Sequence, residues 1–296
     1  MKGVLRKIIA GFCYVEAGDK VYECKPRGNM RRNGGNILAG DIVEFTVLEN
    51  GKGVVENIEK RKNSLVRPPV ANINYLFIVS SQNIPSPNAL LIDRLTAIAE
   101  SKGIEPVIVF NKSDMGDLEE WYKIYSSSGF KTFVVSAKTG EGIEEFKNFV
   151  YECSGVSVFT GNSGVGKSTL LNYIFPNLKL DTGEVSEKLG RGRHTTRKVE
   201  LFKTLNGYVA DTPGFSSMDL ERCEIILKDD LASQFKDFEK FIYDCKFSSC
   251  SHTGEKGCAL GQAVENGEVN ISRYNSYKAL YNEIKDIKEW ELKAKK

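Results

Sequence analysis

Val156-Ser157-Val158-Phe159-Thr160-Gly161-Asn162-Ser163-Gly164-Val165-Gly166-Lys167-Ser168-Thr169 reads as an apolar strand that runs into a glycine-rich turn and then a helix. The turn fits GxxxxGK[ST] in full, and its strand and the helical Thr169-Leu170-Leu171-Asn172 supply the context the pattern requires. Such a turn points backbone N–H groups inward around phosphate, and the helix N-terminus adds its positive dipole. Gly161, Asn162, Ser163, Gly164, Val165 and Gly166 are the expected phosphate cradle. Lys167 is the expected point charge for the outer phosphates. Ser168 is the expected Mg²⁺ ligand, with Thr169 beside it.

Outward from this loop the texture repeats. Tyr75–Val79, Pro106–Phe110, Thr132–Val135 and Tyr208–Ala210 are further apolar strands, separated by helical periods such as Leu90–Ser101. Strands alternating with helices predict an α/β domain with a parallel sheet. Asn111-Lys112-Ser113-Asp114 follows one of these strands and fits NKxD. A carboxylate at Asp114 can accept hydrogen bonds from N1–H and the 2-amino group of guanine. Adenine lacks that donor pair and would leave the carboxylate unpaired. Asn111 is expected to brace the loops, and the Lys112 stem to cover the base. Ser136-Ala137-Lys138 follows another strand, and the Ala137 N–H can donate to guanine O6; read alone, the tripeptide is equally a helix-entry turn. Asp211-Thr212-Pro213-Gly214 fits DxxG: Asp211 can hold Mg²⁺ through water, and the Gly214 N–H can meet a γ-phosphate. Together these predict GTP, GDP and Mg²⁺ as ligands, with GTP hydrolysis as the reaction.

The order of the motifs is unusual. Conventional small GTPases carry the phosphate loop first, whereas here NKxD and SAK precede it. This is a circular permutation, which the close termini of compact domains permit. The chain leaves the domain just after Gly214-Phe215, so whatever follows is tethered to the γ-phosphate sensor and is expected to read it out. Between the phosphate loop and DxxG lies Gly190-Arg191-Gly192-Arg193-His194-Thr195-Thr196-Arg197, where switch I belongs. Thr196, with Thr195 as the alternative, is expected to close on Mg²⁺ and γ-phosphate. Phe215 stands where a water-orienting glutamine is usual, so intrinsic hydrolysis should be slow. His194, one of 2 histidines, is the available catalytic substitute, or else a surface loop residue.

The flanks differ from the centre. Before residue 63 the chain has short β-rich runs, Leu5–Ala10, Phe12–Val15, Val21–Cys24 and Ile42–Val47, with no helices between them, which suggests a small all-β barrel. Pro68-Pro69 marks a linker or boundary. Basic residues in Lys25–Arg32 and Lys60–Lys62, with Tyr14 or Tyr22 as exposed aromatics, suit RNA backbone binding. Beyond Glu221 the chain reads helical, through an amphipathic Arg273–Trp290 stretch. It is interrupted by Cys245-x4-Cys250-x-His252-x5-Cys258, four ligands suited to one tetrahedral structural Zn²⁺. Cys13, Cys24, Cys153 and Cys223 sit on apolar runs and read as core. The domains expected are 1–63, a barrel of the oligonucleotide-binding (OB-fold) type; 64–220, a permuted P-loop GTPase; and 221–296, a mainly helical zinc-binding unit. Net charge is +2, so nucleic-acid contact must come from local clusters. No run is long enough to span a bilayer and no signal-peptide core opens the chain, so a cytoplasmic protein is expected, with neither membrane nor DNA as partner and a monomer as default.

The set NKSD, GNSGVGKST, GRHTTR and DTPGF, between a barrel and a Cys-Cys-His-Cys module, resembles the bacterial small ribosomal subunit-dependent GTPase A family over essentially the whole length. The resemblance implies GTPase activity stimulated by the small ribosomal subunit, a role in its late maturation, and contacts to its rRNA through the flanking domains. Family members often carry a third threonine in switch I, where Arg197 stands here. A GTP-gated RNA-binding protein with incidental hydrolysis is the alternative. NKSD argues against a P-loop kinase or ATPase, and no added cofactor or methyltransferase motif points to tRNA modification.

Overall fold

Residues 1–28, 37–83, 85–176, 178, 199–211 and 224–288 are described by the computed structural model. In the first of these stretches, buried Leu5, Cys13, Val15 and Cys24 alternate with more exposed neighbours, the period of two that a half-buried strand requires. They lie on β1 (Lys2–Ile9), β2 (Phe12–Ala17) and β3 (Lys20–Pro26), which join β4 (Ile42–Val47) and β5 (Gly53–Ile58). The five close in the order β1-β2-β3-β5-β4-β1, with only β3 and β5 parallel. Ala10 and Gly11, with φ of 50° and 82°, make the tight β1–β2 turn whose twist suits a hairpin. The expected barrel is present. Tyr22, however, is not free for stacking: it packs 5.3 Å from Phe45 against the barrel core.

A two-stranded hairpin, β6 (Ser64–Leu65) and β7 (Val70–Ala71), follows, and Pro68-Pro69 is its tip rather than an extended linker. Ala71 N–H donates to the Ala39 carbonyl at 2.8 Å, which sews the hairpin to the barrel.

The parallel sheet is built from β8 (Ile73–Ser81), β9 (Glu105–Asn111), β10 (Lys131–Val134), β11 (Gly155–Thr160) and β13 (Gly207–Asp211), in the order β10-β9-β8-β11-β13. Val107, Ile108, Val109 and Phe110 are all buried because helices cover both faces. On one face Leu76, Ile78 and Ile108 pack with Leu95, Ile98 and Tyr125. On the other Phe77, Val109 and Phe159 pack with Phe146 and Leu170, and the Phe77 and Phe159 rings stack at 4.4 Å. β12 (Glu200–Lys203) adds antiparallel to β13, and β1 of the barrel pairs with β12. Among the described residues, barrel and parallel strands thus form one 11-stranded sheet.

The C-terminal segment carries helices Lys228–Leu231, Ala259–Glu265 and Ile271–Ile284. Its Leu231, Phe235 and Tyr277 enclose Ala97 of the Ala89–Ser101 helix. Arg273 is fully buried at this junction. It donates to Asp93 Oδ1 and to Asp237 Oδ1, each at 2.6 Å, and its guanidinium lies 4.8 Å from the Phe235 ring centre. Burial raises the Asp93 carboxyl's pKa even against this partner. The C-terminal segment is therefore docked on a helix of the sheet, and the chain leaving Asp211 is not its sole attachment. Removing one member of a buried ion pair strands the others without compensation. Arg273→Ala is expected to lower unfolding free energy by about 3–5 kcal/mol in urea denaturation, whereas a small loss would mean that packing alone holds the segment.

Candidate functional site

β8, β9 and β10 step outward on one side of β11, and β13 lies on the other. That reversal opens a crevice at the carboxyl ends of the strands, where open α/β sheets bind ligands. Three of the loops singled out in the sequence meet there.

The phosphate-loop sequence leaves β11 at Gly161. With φ of 143°, a Cβ there would stand 2.1 Å from the Val79 carbonyl oxygen, so only glycine fits. Ser163, Gly164 and Val165 make the turn, and Gly166 passes so close to Asn111 that a Cβ would meet its Nδ2 at 2.4 Å. Ser168 and Thr169 lie in the first turn of the Lys167–Ile174 helix. Lys167 folds back over its own loop and donates to the carbonyls of Gly161 at 2.7 Å and Asn162 at 2.9 Å. Burial pushes its pKa down to about 8.

Asn111 is 2% exposed and binds on both sides. Its Nδ2 donates to the Val165 carbonyl at 2.9 Å, and its Oδ1 accepts the Ala137 N–H at 3.1 Å. One amide thus ties the NKSD, GNSGVGKST and SAK loops together. The Ala137 N–H, expected to face guanine O6, is engaged by Asn111 instead. Lys112, in the left-handed region at φ 65°, donates from Nζ to the Gly164 carbonyl at 2.7 Å. Asp114 Oδ1 accepts from the Ser136 hydroxyl at 2.6 Å, and Lys138 Nζ lies 3.7 Å from its Oδ2. The Ser136 hydrogen bond holds the Asp114 carboxyl below the usual range, with Lys138 assisting. These loops enclose a cavity of about 430 Å³, lined by Asn111, Lys112, Asp114, Met115, Ala137, Lys138, Gly166 and Thr169. Met115 is a residue the motif reading passes over. Its only signal is its place next to Asp114 in the Ser113–Met115 turn.

Asp211 ends β13 with its backbone opposite Glu200. His194, Thr195, Thr196, Gly214 and the basic Arg31-Arg32 lie outside the described residues, as do Cys223 and Trp290.

A second cluster forms at the C-terminal segment. The ligand atoms of Cys245, Cys250, His252 and Cys258 all lie within 4.8 Å of one another. Cys245 Sγ is 3.3 Å from His252 Nδ1 and 3.9 Å from Cys258 Sγ. Tetrahedral zinc, with Zn–S near 2.3 Å, needs sulfurs roughly 3.8 Å apart, so the donor set fits such an ion. Backbone N–H groups of Ala259 and Gly261 already point at the Cys245 and Cys258 sulfurs, at 3.3 and 3.4 Å. His252 reaches inward because its backbone is left-handed, at φ 57°. Glu255, also missed in the sequence, holds that bend: it accepts the N–H groups of Ser251 at 2.7 Å, Thr253 at 2.8 Å and Gly254 at 3.1 Å, and the Ser251 hydroxyl. Burial alone would raise the Glu255 pKa, but these donors outweigh it and bring it to about 2.

Sheet order, loop order and the braced crevice together define a circularly permuted P-loop GTPase with an N-terminal barrel. Residues 58–221 match the profile of the RsgA GTPase and residues 2–55 that of the RsgA N-terminal domain, and the chain belongs to the RsgA family. The small ribosomal subunit biogenesis GTPase RsgA of Caldanaerobacter subterraneus subsp. tengcongensis is 42% identical over 290 residues, covering 97% of this chain and 96% of that protein. Its namesake in Streptococcus pneumoniae is 41% identical over 300 residues, covering 100% and 99%. Among solved structures, YjeQ from Thermotoga maritima superposes with a TM-score of 0.81 at 36% identity, over 97% of this chain and 99% of that one. YloQ, described as a circularly permuted GTPase, gives 0.79 at 34% identity, over 97% and 96%. The chain is a GTP-hydrolysing enzyme of this family.

Loss of an outer partner that fixes a metal ligand typically costs ten- to a hundredfold in affinity. Glu255→Ala is expected to weaken binding of a metal ion by this cluster about tenfold in a chelator competition, and unchanged affinity would show that the His252 bend stands without it.

Proposed function

We propose that this chain binds GTP with Mg²⁺ in the braced crevice, hydrolyses it, and acts late in maturation of the small ribosomal subunit. The observation that carries the reading is the double hydrogen bond of buried Asn111, which fixes a phosphate-type loop against a guanine-type loop. In this reading Asp114 accepts from N1–H and the 2-amino group, held ready by Ser136. Lys112 and Lys138 flank the base, with Ala137 at the cavity wall. The loop from Gly161 to Gly166 offers N–H groups to the phosphates. Lys167 exchanges two carbonyls for phosphate oxygens.

Ser168 and Asp211 are the proposed Mg²⁺ holders. When bound, Mg²⁺ neutralises charge that develops on the phosphates. Thr196 and His194 keep the switch I and catalytic roles assigned from the sequence, with Gly214 as the γ-phosphate sensor. Phe215 offers no group to orient water, which supports slow turnover without a partner. Cys245, Cys250, His252 and Cys258 are proposed to hold one structural Zn²⁺. Four protein ligands leave no open position for catalysis.

The names of the relatives support the small ribosomal subunit as partner. Contact with its rRNA, through the barrel and the C-terminal segment, is part of the same proposal, as are a monomeric state and a cytoplasmic setting. Among the described residues, no helix is long and apolar enough to cross a membrane. The test is GTP turnover at fixed salt with small subunits, with large subunits as control. Acceleration by small subunits alone is expected. Tight GTP binding without acceleration would favour a GTP-gated RNA-binding protein.

The state of Lys167 gives a second expectation. A lysine with pKa of about 8 is partly neutral above that pH, and a bound triphosphate raises its pKa. Binding should therefore take up a proton, and GTP affinity should fall as pH rises from about 8 to about 10. Calorimetry at pH 8.5 in buffers of different ionisation enthalpy reads this directly. No net proton uptake would place Lys167 away from the phosphates.

A further inference from the structure

A row of side chains crosses the junction between barrel and parallel sheet. Glu200 on β12 is the ladder partner of Asp211 at the end of β13. On its other side Glu200 faces Lys7 on β1, Lys7 faces Tyr14 on β2, and Tyr14 faces Glu23 on β3. Residues opposite one another across a ladder share a face and interact. Here the contacts follow the register. Lys7 Nζ is 2.7 Å from Glu200 Oε1 and 5.6 Å from the Tyr14 ring centre. The Tyr14 hydroxyl donates to Glu23 Oε2 at 3.2 Å, and Glu23 Oε1 pairs with Lys52 at 2.8 Å. The row begins beside Asp211 and ends on β2–β3, the part of such barrels that faces oligonucleotides.

The strand in the middle is held unequally by its backbone: all four of its residues pair with β13, but it meets β1 at one point. β12 spans only Glu200–Lys203, and its register with β1 rests on the single pair Lys7↔Glu200. Side chains supply the rest: Arg6 Nε donates to the Leu201 carbonyl at 2.8 Å, alongside the Lys7–Glu200 pair. β12 and β13 therefore form one antiparallel unit, and the Lys7–Glu200 pair ties the Asp211 end of that unit to the barrel.

We propose that Lys7 and Glu200 are positioning residues, through which the barrel sets the end of β13 and hence the turnover reached when the small subunit engages the barrel. This rests on the reading above that Asp211 serves the hydrolytic site and that small subunits accelerate turnover. The two side chains are 29% and 31% exposed, and pairs so placed contribute little to stability. A displacement of about 1 Å in reacting geometry can nevertheless cost about a hundredfold in rate. The pair should thus matter to turnover far more than to folding.

The test compares Lys7→Met, Glu200→Gln and the reversed pair Lys7→Glu with Glu200→Lys. Melting temperature, GTP affinity, small-subunit affinity and turnover at saturating small subunits are read for each. The single variants should melt within a few degrees of wild type and keep both affinities within about twofold, while saturated turnover falls about tenfold. The reversed pair should recover most of that loss. Single variants that turn over like wild type, or that lose only thermal stability, would overturn the proposal. A wild-type protein unresponsive to small subunits in the same assay would remove the underlying reading, and the proposal with it, whatever the variants do.

Discussion

The proposed nucleotide site depends on a single buried amide. Asn111 must donate to Val165 and accept from Ala137 at once, and its amide carries the NH₂ donor and the carbonyl acceptor side by side to do both. The NKSD loop closes β9 and the phosphate loop closes β11, and a helix, strand β10 and a second helix intervene in sequence between them. Their alignment cannot come from local chain connectivity. It comes from two parallel strands buried on both faces and from one side chain that spans the gap. Gly166 completes the arrangement, because a Cβ there would occupy the space of the Asn111 amide.

The same logic extends outward. Permutation places the chain exit beside the γ-phosphate sensor and so suggests a C-terminal unit hung on a tether. The structure adds a second attachment, since Arg273 and its two carboxylates dock that unit on the Ala89–Ser101 helix. The barrel is likewise no separate bead, because β1 continues the sheet through β12. Glu16, buried on β2, pairs with Lys203 of β12 at 2.7 Å and with Arg6 of β1 at 3.3 Å, which adds a further contact across that seam. Flanking units fixed to an edge strand and to a covering helix of a nucleotide-binding sheet can respond to its state without long linkers.

Long apolar strands and loop motifs were legible in the sequence because their cause is local. Val107–Phe110 can only be a buried strand, and GNSGVGKST and NKSD carry their chemistry in consecutive residues. The cysteine and histidine spacing was legible for the same reason. What escaped depends on tertiary partners. β12 is Glu-Leu-Phe-Lys, too short and too polar at its ends to declare itself, and it exists because β13 and β1 flank it. β5 was missed because Glu56 and Asn57 blur its alternation. Arg273 reads as the start of an amphipathic stretch, yet two distant aspartates pair with it and aromatic rings enclose it, so that it is fully buried. Tyr22 read as exposed and is a wall of the barrel core, while Met115 and Glu255 acquire meaning only from the cavity and the bend beside them.

GTP affinity of Asn111→Ala, measured beside its melting temperature, tests the bracing most directly. Losing the amide leaves the Val165 carbonyl and the Ala137 N–H without their partner, each worth about 1–3 kcal/mol when buried. Affinity is expected to fall by at least about tenfold, with the sheet still folded. Affinity within about twofold of wild type would mean that the two loops hold their places without this residue, and that the site is not organised around it.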